Sequence, residues 1–224
     1  MDRSTAEFFS KKLGIAVEQV IREELELAVL KPVCESRIGD SLVFKGGTAL
    51  RLAYGSPRFS DDLDFSALRP IPETDFKKAS LAAARNVPEG KLVEALAKHH
   101  TLFAIFQFRI PYIGRPFSMK IEISIRKDSW KQGRDYELKL LTSELTNMTA
   151  LAQVATLERM GRDKRKALKS RRQARDLYDL WFISQKLGRD FEPGTAGIPP
   201  SVLRRELRKY LPRSHWRLVD KWTA

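Results

Sequence analysis

Long apolar runs are missing from this chain. No stretch approaches the roughly 20 apolar residues that span a bilayer, and Met1 to Ser10 has no apolar centre of the kind a signal peptide carries. Both features speak against a membrane partner and point to a cytoplasmic protein. Cysteine is nearly absent. Cys34 stands alone, which excludes an internal disulfide and a cysteine-rich zinc site, and it reads as a small buried residue near the end of the first helices. Histidine is scarce too: His99, His100 and His215 show no metal-ligand spacing with one another or with cysteine, which argues against a zinc centre. Acidic side chains are in deficit, 28 Asp and Glu against 41 Lys and Arg, leaving a net charge of +13. That field favours a polyanionic partner, nucleic acid ahead of an acidic protein. No internal repeat or low-complexity segment is visible, and 224 residues at 42% hydrophobic content are enough to bury a substantial core.

Hydrophobic periodicity then orders the chain. From Thr5 to Leu30 apolar residues recur at helical spacing, which predicts one or two packing helices. Ser41–Phe44 reads as a short buried strand, Gly46-Gly47 as a tight turn, and Thr48–Tyr54 as a helix. Asp61–Phe65 is a second short strand; helices are expected over Glu73–Arg85 and over Gly90–His100. Leu102–Ile110 and Phe117–Arg126 are longer strands separated by Pro111, Gly114 and Pro116. The second alternates, so Met119, Ile121, Ile123 and Ile125 should face the core while Lys120, Glu122 and Ser124 face away. From Ser143 the pattern is helical, with a loop at Phe191–Pro200 containing Pro193 and Gly194, and a last helix over Ser201–Tyr210. The expectation is two parts, 1–140 and a helical 141–224.

Two short segments carry the chemistry. The first, Phe44-Lys45-Gly46-Gly47-Thr48, puts paired glycines between a strand and a helix, where backbone amides can approach a phosphate. A plain structural turn would look the same, and the run is not a Walker loop because the lysine precedes the glycines. The second is Arg58-Phe59-Ser60-Asp61-Asp62-Leu63-Asp64-Phe65. If this segment is extended, Asp62 and Asp64 project from one face while Leu63 and Phe65 enter the core. Neighbouring carboxylates repel unless a cation lies between them, and such oxygen donors suit magnesium, with manganese as the alternative. A solvated acidic turn is the bland reading of the same residues.

Lys45-Gly46-Gly47-Thr48-Ala49-Leu50, followed by Arg58-x-Ser60-x-Asp62-x-Asp64-Phe65, resembles the signature of the AbiEii/AbiGii toxin family of nucleotidyltransferases, the type IV toxin–antitoxin enzymes. Downstream, Glu158, Lys164, Ala167, Leu168 and Arg171, leading to Arg175-Asp176-Leu177-Tyr178-Asp179-Leu180, are similar to that family's C-terminal motif, so the resemblance spans Leu42 to Phe182. It implies an α+β nucleotidyltransferase fold, a mixed sheet flanked by helices, with a helical C-terminal part completing the active site. It also implies transfer of a nucleotide from a nucleoside triphosphate, in some members to the 3′ end of tRNA, and a cognate antitoxin. Position by position, Gly46, Gly47 and Thr48, with Lys45, Arg58 and Ser60, would hold the triphosphate. Asp62 and Asp64 would bind the metal, Lys164 would contact triphosphate, and Asp179 would be the later functional carboxylate, with Asp176 the other choice. Glu122 is placed by its strand face as a third carboxylate or as a partner of Lys120.

Nine basic residues lie between Arg159 and Arg175 against one acid, Asp163, a density that repels itself unless a polyanion sits nearby. The same segment carries an apolar stripe, Leu157, Met160, Ala167, Leu168, Ala174 and Leu177, so a solvated helix face is the alternative. A second basic stretch holds Arg204 to Lys221 with Tyr210 and Trp216 among the cations, aromatics that could stack on unpaired bases or pack the last helix down.

Overall fold

A computed structural model describes residues 1–191 and 195–223 of the chain, so Pro193 and Gly194 of the expected loop lie outside the described residues. The N-terminal segment divides into two helices. Helix α1 (Arg3–Leu13) starts where the Asp2 side chain accepts from the Thr5 amide and stops at Gly14, which takes the left-handed conformation. Helix α2 (Val17–Cys34) is buried nearly all round and carries an unusual set of enclosed polar residues, Gln19, Arg22, Glu23 and Glu26. Strand β1 (Leu42–Lys45) runs straight into α3 (Gly46–Tyr54), and β2 (Leu63–Ala67) returns antiparallel beside it. Helix α4 (Glu73–Arg85) follows with the expected bounds.

Residues 90–100 form a strand instead of the expected helix. Strand β3 (Gly90–Lys98) pairs along its length with β4 (Thr101–Phe108), and His99-His100 make the turn between them. Its Leu, Ala, Glu and Lys content favours a helix in isolation, but a turn leading directly into a strongly alternating strand supplies a ladder that outweighs propensity. Strand β5 (Phe117–Ser124) completes that meander. Met119, Ile121 and Ile123 are buried as expected, whereas Ile125 is exposed because the strand ends one residue earlier.

The helical reading from Ser143 also needs correction. Strand β6 (Tyr136–Leu141) pairs with β7 (Ala150–Ala155), and β7 joins the sheet parallel to β1, so the helices start only at Leu157. Both strands are short and made largely of helix-compatible residues, so tertiary pairing decides their state. The mixed sheet of seven strands has the order β3-β4-β5-β2-β1-β7-β6. One face is apolar: Phe44, Phe65, Ile123 and Leu102 are register neighbours across four strands, and all four are buried. Helices α5 (Leu157–Arg171), α6 (Ala174–Lys186), α7 (Pro200–Tyr210) and α8 (Trp216–Trp222) form the C-terminal part. Trp181 packs against Tyr178 and Trp222 in that part, while the Trp216 indole N–H donates to the Leu211 carbonyl at 3.0 Å, which assigns both tryptophans to packing.

Candidate active site

The row next to the apolar one carries the site. Lys45 is the register partner of Asp64, and Asp64 is the partner of Glu122, so three adjacent strands present a lysine and two carboxylates on one face. Asp62 lies one residue before β2 and outside any regular element. The Thr48 hydroxyl, buried, donates to the Asp62 carbonyl at 2.7 Å, so its role is to hold this backbone.

A cavity of about 260 Å³ is lined by Gly47, Arg58, Ser60, Asp62, Asp64, Lys120 and Glu122 from the sheet side and by Lys164, Arg171 and Arg175 from α5 and α6. It opens beside a larger one of about 470 Å³, which shares Asp64, Lys164 and Arg171 and reaches Lys45 and Gly46. Both glycines are there for space. Gly46 sits at φ 86°, and a Cβ on it would come within 2.4 Å of an Asp64 carboxylate oxygen. A Cβ on Gly47 would lie 2.2 Å from an Arg58 guanidinium nitrogen and 2.6 Å from the Ser60 hydroxyl.

On the helical side, Asp176 and Asp179 lie one turn apart on α6 and have no exposed side-chain surface. Arg58 grips Asp179 with two hydrogen bonds of 2.7 and 2.9 Å. Lys164 bridges the pair, 2.9 Å from Asp176 and 2.6 Å from Asp179, and Arg171 adds a two-point contact to Asp176 at 2.7 and 2.9 Å. Asp179 therefore stands behind the cavity wall, holding Arg58 and Lys164 in place. Arg58 borders the cavity with its remaining terminal nitrogen donating to the Phe59 carbonyl at 2.8 Å.

The two carboxylate pairs are in opposite electrostatic states. Burial raises the pKa of Asp62, offset in part by Lys120 and reinforced by Asp64. Burial likewise raises Asp64 against the pull of Lys164 and Lys45, with Glu122 pushing the same way as burial. For Asp179 burial is the largest influence, yet Arg58 and Lys164 overcome it and hold the carboxyl below its ordinary range; Arg171 and Lys164 do the same for Asp176.

The Asp62 and Asp64 carboxylates, both lining the cavity, are the oxygen donors that would hold a divalent cation there. Both are desolvated, Asp64 repels Asp62, and both lie beside Gly46 and Gly47 at the start of α3. Among the described residues no group of three or more His, Cys, Asp or Glu side chains is arranged to hold a metal unaided. Magnesium commonly takes one or two carboxylates and completes its shell with substrate phosphate and water, so a pair such as Asp62 and Asp64 would need substrate oxygens to complete the shell.

Reading the sequence places Arg171 and Arg175 in the family-like C-terminal motif and in a basic run but gives neither an individual role, whereas the structure lines the cavity with both. The signal was available: Lys164 and Arg171 are seven residues apart, two helical turns, and Met160, Lys164, Ala167 and Arg171 form one stripe that lines the larger cavity. Elsewhere in that run, Arg159 lies 3.9 Å over the Trp130 ring and Arg162 pairs with Asp135 at 2.7 Å. Arg165, Lys166, Lys169 and Arg172 are exposed and enter no ion pair among the described residues. No helix among the described residues is long and apolar enough to cross a membrane.

The sequence model of the AbiEii nucleotidyl transferase toxin of type IV toxin–antitoxin systems matches residues 29–221. The chain belongs to this family. An uncharacterized protein of Aquifex aeolicus (strain VF5) is 25% identical to this AbiEii-family chain over 175 residues, 76% of the chain and 68% of the relative. Among solved structures, JHP933 from Helicobacter pylori superposes with a TM-score of 0.58 at 22% identity, covering 85% of this chain and 79% of its own. MenT4, a nucleotidyltransferase toxin of Mycobacterium tuberculosis H37Rv, gives 0.60 at 18% identity, covering 92% and 70%. At these identities the structural likenesses establish the fold, a mixed sheet with flanking helices, and the family match carries the assignment to nucleotidyltransferase toxins.

Proposed function

We propose that this AbiEii-family chain transfers a nucleotide from a nucleoside triphosphate to the 3′ end of tRNA, with magnesium held by Asp62 and Asp64. One observation carries the reading: Gly46 and Gly47 at the start of α3, the Asp62 and Asp64 carboxylates and Lys164, separated by up to 118 positions in sequence, border two cavities that share Asp64, Lys164 and Arg171. When bound, the divalent ion would supply charge neutralisation on the phosphates and a lowered pKa for the attacking hydroxyl.

The chain's own groups divide the remaining work. Gly46 and Gly47 let the triphosphate approach the first turn of α3, where amides favour negative charge. Lys164 is fixed by Asp176 and Asp179, so its ammonium meets the phosphates already oriented, and Arg171 and Arg175 add positive charge on the same wall. Glu122, in register with Asp64 and facing the cavity, is the carboxylate available to take the proton of the acceptor hydroxyl. The net charge of +13 and the exposed cations of α5 favour RNA as acceptor over a protein or small molecule. A cognate antitoxin is the partner expected of a type IV toxin.

The test is incubation with each labelled triphosphate and total tRNA, with and without magnesium, followed by a gel. Label should enter tRNA only when magnesium is present. Label entering a protein or small-molecule acceptor in place of tRNA would keep the chemistry and overturn the acceptor; transfer undiminished by chelation would overturn the metal assignment.

A further inference from the structure

Of the two carboxylates at the cation site, one is fixed by the sheet and the other is not. Asp64 is inside β2, hydrogen-bonded on both sides through β1 and β5. Asp62 precedes the strand and has no register partner in either ladder. The neighbouring residue, Asp61, is instead tied down from several directions. Its carboxylate accepts a hydrogen bond from the Tyr210 hydroxyl and one of 3.2 Å from the Gln19 amide, and it pairs with Arg22 at 3.3 Å. Arg22 is itself enclosed and also donates at 2.7 Å to the Ser118 carbonyl at the start of β5, the strand that carries Glu122. Tyr210, the last residue of α7, makes a second contact with the same segment, its carbonyl accepting from the Phe59 amide at 2.8 Å.

We propose that Asp61 and Tyr210 are positioning residues, a clamp through which α7 and α2 fix the segment 59–62 and so aim the Asp62 carboxylate at the cation site. Asp61 is not among the residues that line the cavity. The segment's other restraints are the Thr48 hydroxyl on the Asp62 carbonyl, Arg58 on the Phe59 carbonyl, the Lys120 backbone beside the Asp62 carboxylate and the burial of Phe59 beneath Arg51, while the side chain at 61 is the anchor that reaches both α2 and α7. A carboxylate displaced by about 1 Å at such a centre costs on the order of tenfold to a hundredfold in rate without any loss of binding groups. The C-terminal helices thus act on the sheet-side carboxylates as well as supplying Lys164.

This inference rests on the reading of Asp62 as a cation-side carboxylate, and its test has one arm that needs no activity. Tyr210→Phe removes only the hydroxyl, and Asp61→Asn keeps an acceptor for Tyr210 while discharging the Arg22 pair. Hydrogen exchange measured by mass spectrometry on the metal-free proteins should show faster exchange in peptides covering 58–62 for Tyr210→Phe, with β2 and α6 peptides unchanged and melting temperatures close to wild type. In the transfer assay kcat should fall roughly tenfold while the triphosphate KM stays within about twofold, and Asp61→Asn should lie between wild type and Asp61→Ala. A Tyr210→Phe protein with wild-type exchange at 58–62 overturns the clamp, and so does a loss of melting temperature with kcat per folded molecule intact, the signature of a merely structural contact. If the wild-type protein transfers nothing to any acceptor, the functional reading fails while the exchange arm still decides whether the clamp exists.

Discussion

Four aspartates meet around this cavity, two on each wall, and they do opposite things. Asp176 and Asp179 on α6 are fully enclosed and fully partnered, held ionised by Arg58, Lys164 and Arg171. Asp62 and Asp64 on the sheet side are partly buried, face the cavity and are pushed toward the neutral form. The same side chain is held ionised where guanidinium and ammonium groups bond it directly, and stays pushed toward the neutral form where nearby cations only partly offset burial. The difference is informative because burial opposes ionisation in all four cases, so the presence or absence of a committed guanidinium decides the outcome.

The contrast can be broken most sharply at Asp62 and Asp64. Asp62→Ala or Asp64→Ala should lower transfer by about 10³-fold or more with the protein still folded, since on the proposed reading each removes a cation ligand and no core contact; labelled transfer alongside circular dichroism would show it, and full activity in either variant would remove that residue from the proposed cation site. Asp179→Ala should do the reverse, costing about 3–5 kcal/mol of stability because Arg58 is left buried without its partner. Denaturant unfolding would register that loss, and a variant as stable as wild type would show that the α6 pair is not structural. Between these, Lys164→Ala should lower kcat/KM by about tenfold to a hundredfold through loss of a charge-assisted phosphate contact. An unchanged kcat/KM would take Lys164 out of the site. Asp64→Asn sharpens the comparison further: replacing a carboxylate that burial disfavours by a neutral amide should abolish activity while raising the metal-free melting temperature. A lower melting temperature would mean that Asp64, too, is a structural ion.

Much of this site could be read before any coordinates. The alternation of β5 and the glycine pair after an apolar run are local signals with period two or a fixed offset, and each predicts its own geometry; the strand expected over Asp61–Phe65 begins only at Leu63, so the period-two argument covers Asp64 and not Asp62. The 90–100 and 136–155 segments were not legible in the same way. Their residues suit helices, and only pairing with β4 and β1 makes them strands. The burial of Asp179 was hidden for a related reason. A carboxylate in a motif looks the same whether it faces substrate or an arginine 121 positions away, and only the fold brings Arg58 to it. Asp61 reads as one acid in an acidic run, and its tie to Tyr210, 149 positions on, is likewise a product of the tertiary structure.

The smallest effect expected from the comparison lies in the acid limb of stability. A carboxyl whose folded-state pKa lies below its unfolded value, near 3.9, contributes stability that is complete above that value and is lost as pH falls through the folded one. Asp176 and Asp179 are such groups, so stability should decline steeply as the medium is acidified below about pH 4. Asp179→Asn removes one of them. The variant should start less stable at neutral pH and then show a shallower decline, so that the two curves converge under acid. Urea titrations at a series of pH values would resolve the slopes. Parallel curves for the two proteins would mean that Asp179 is not held ionised by its arginine and lysine, and the distinction between the two walls of the cavity would lose its electrostatic basis.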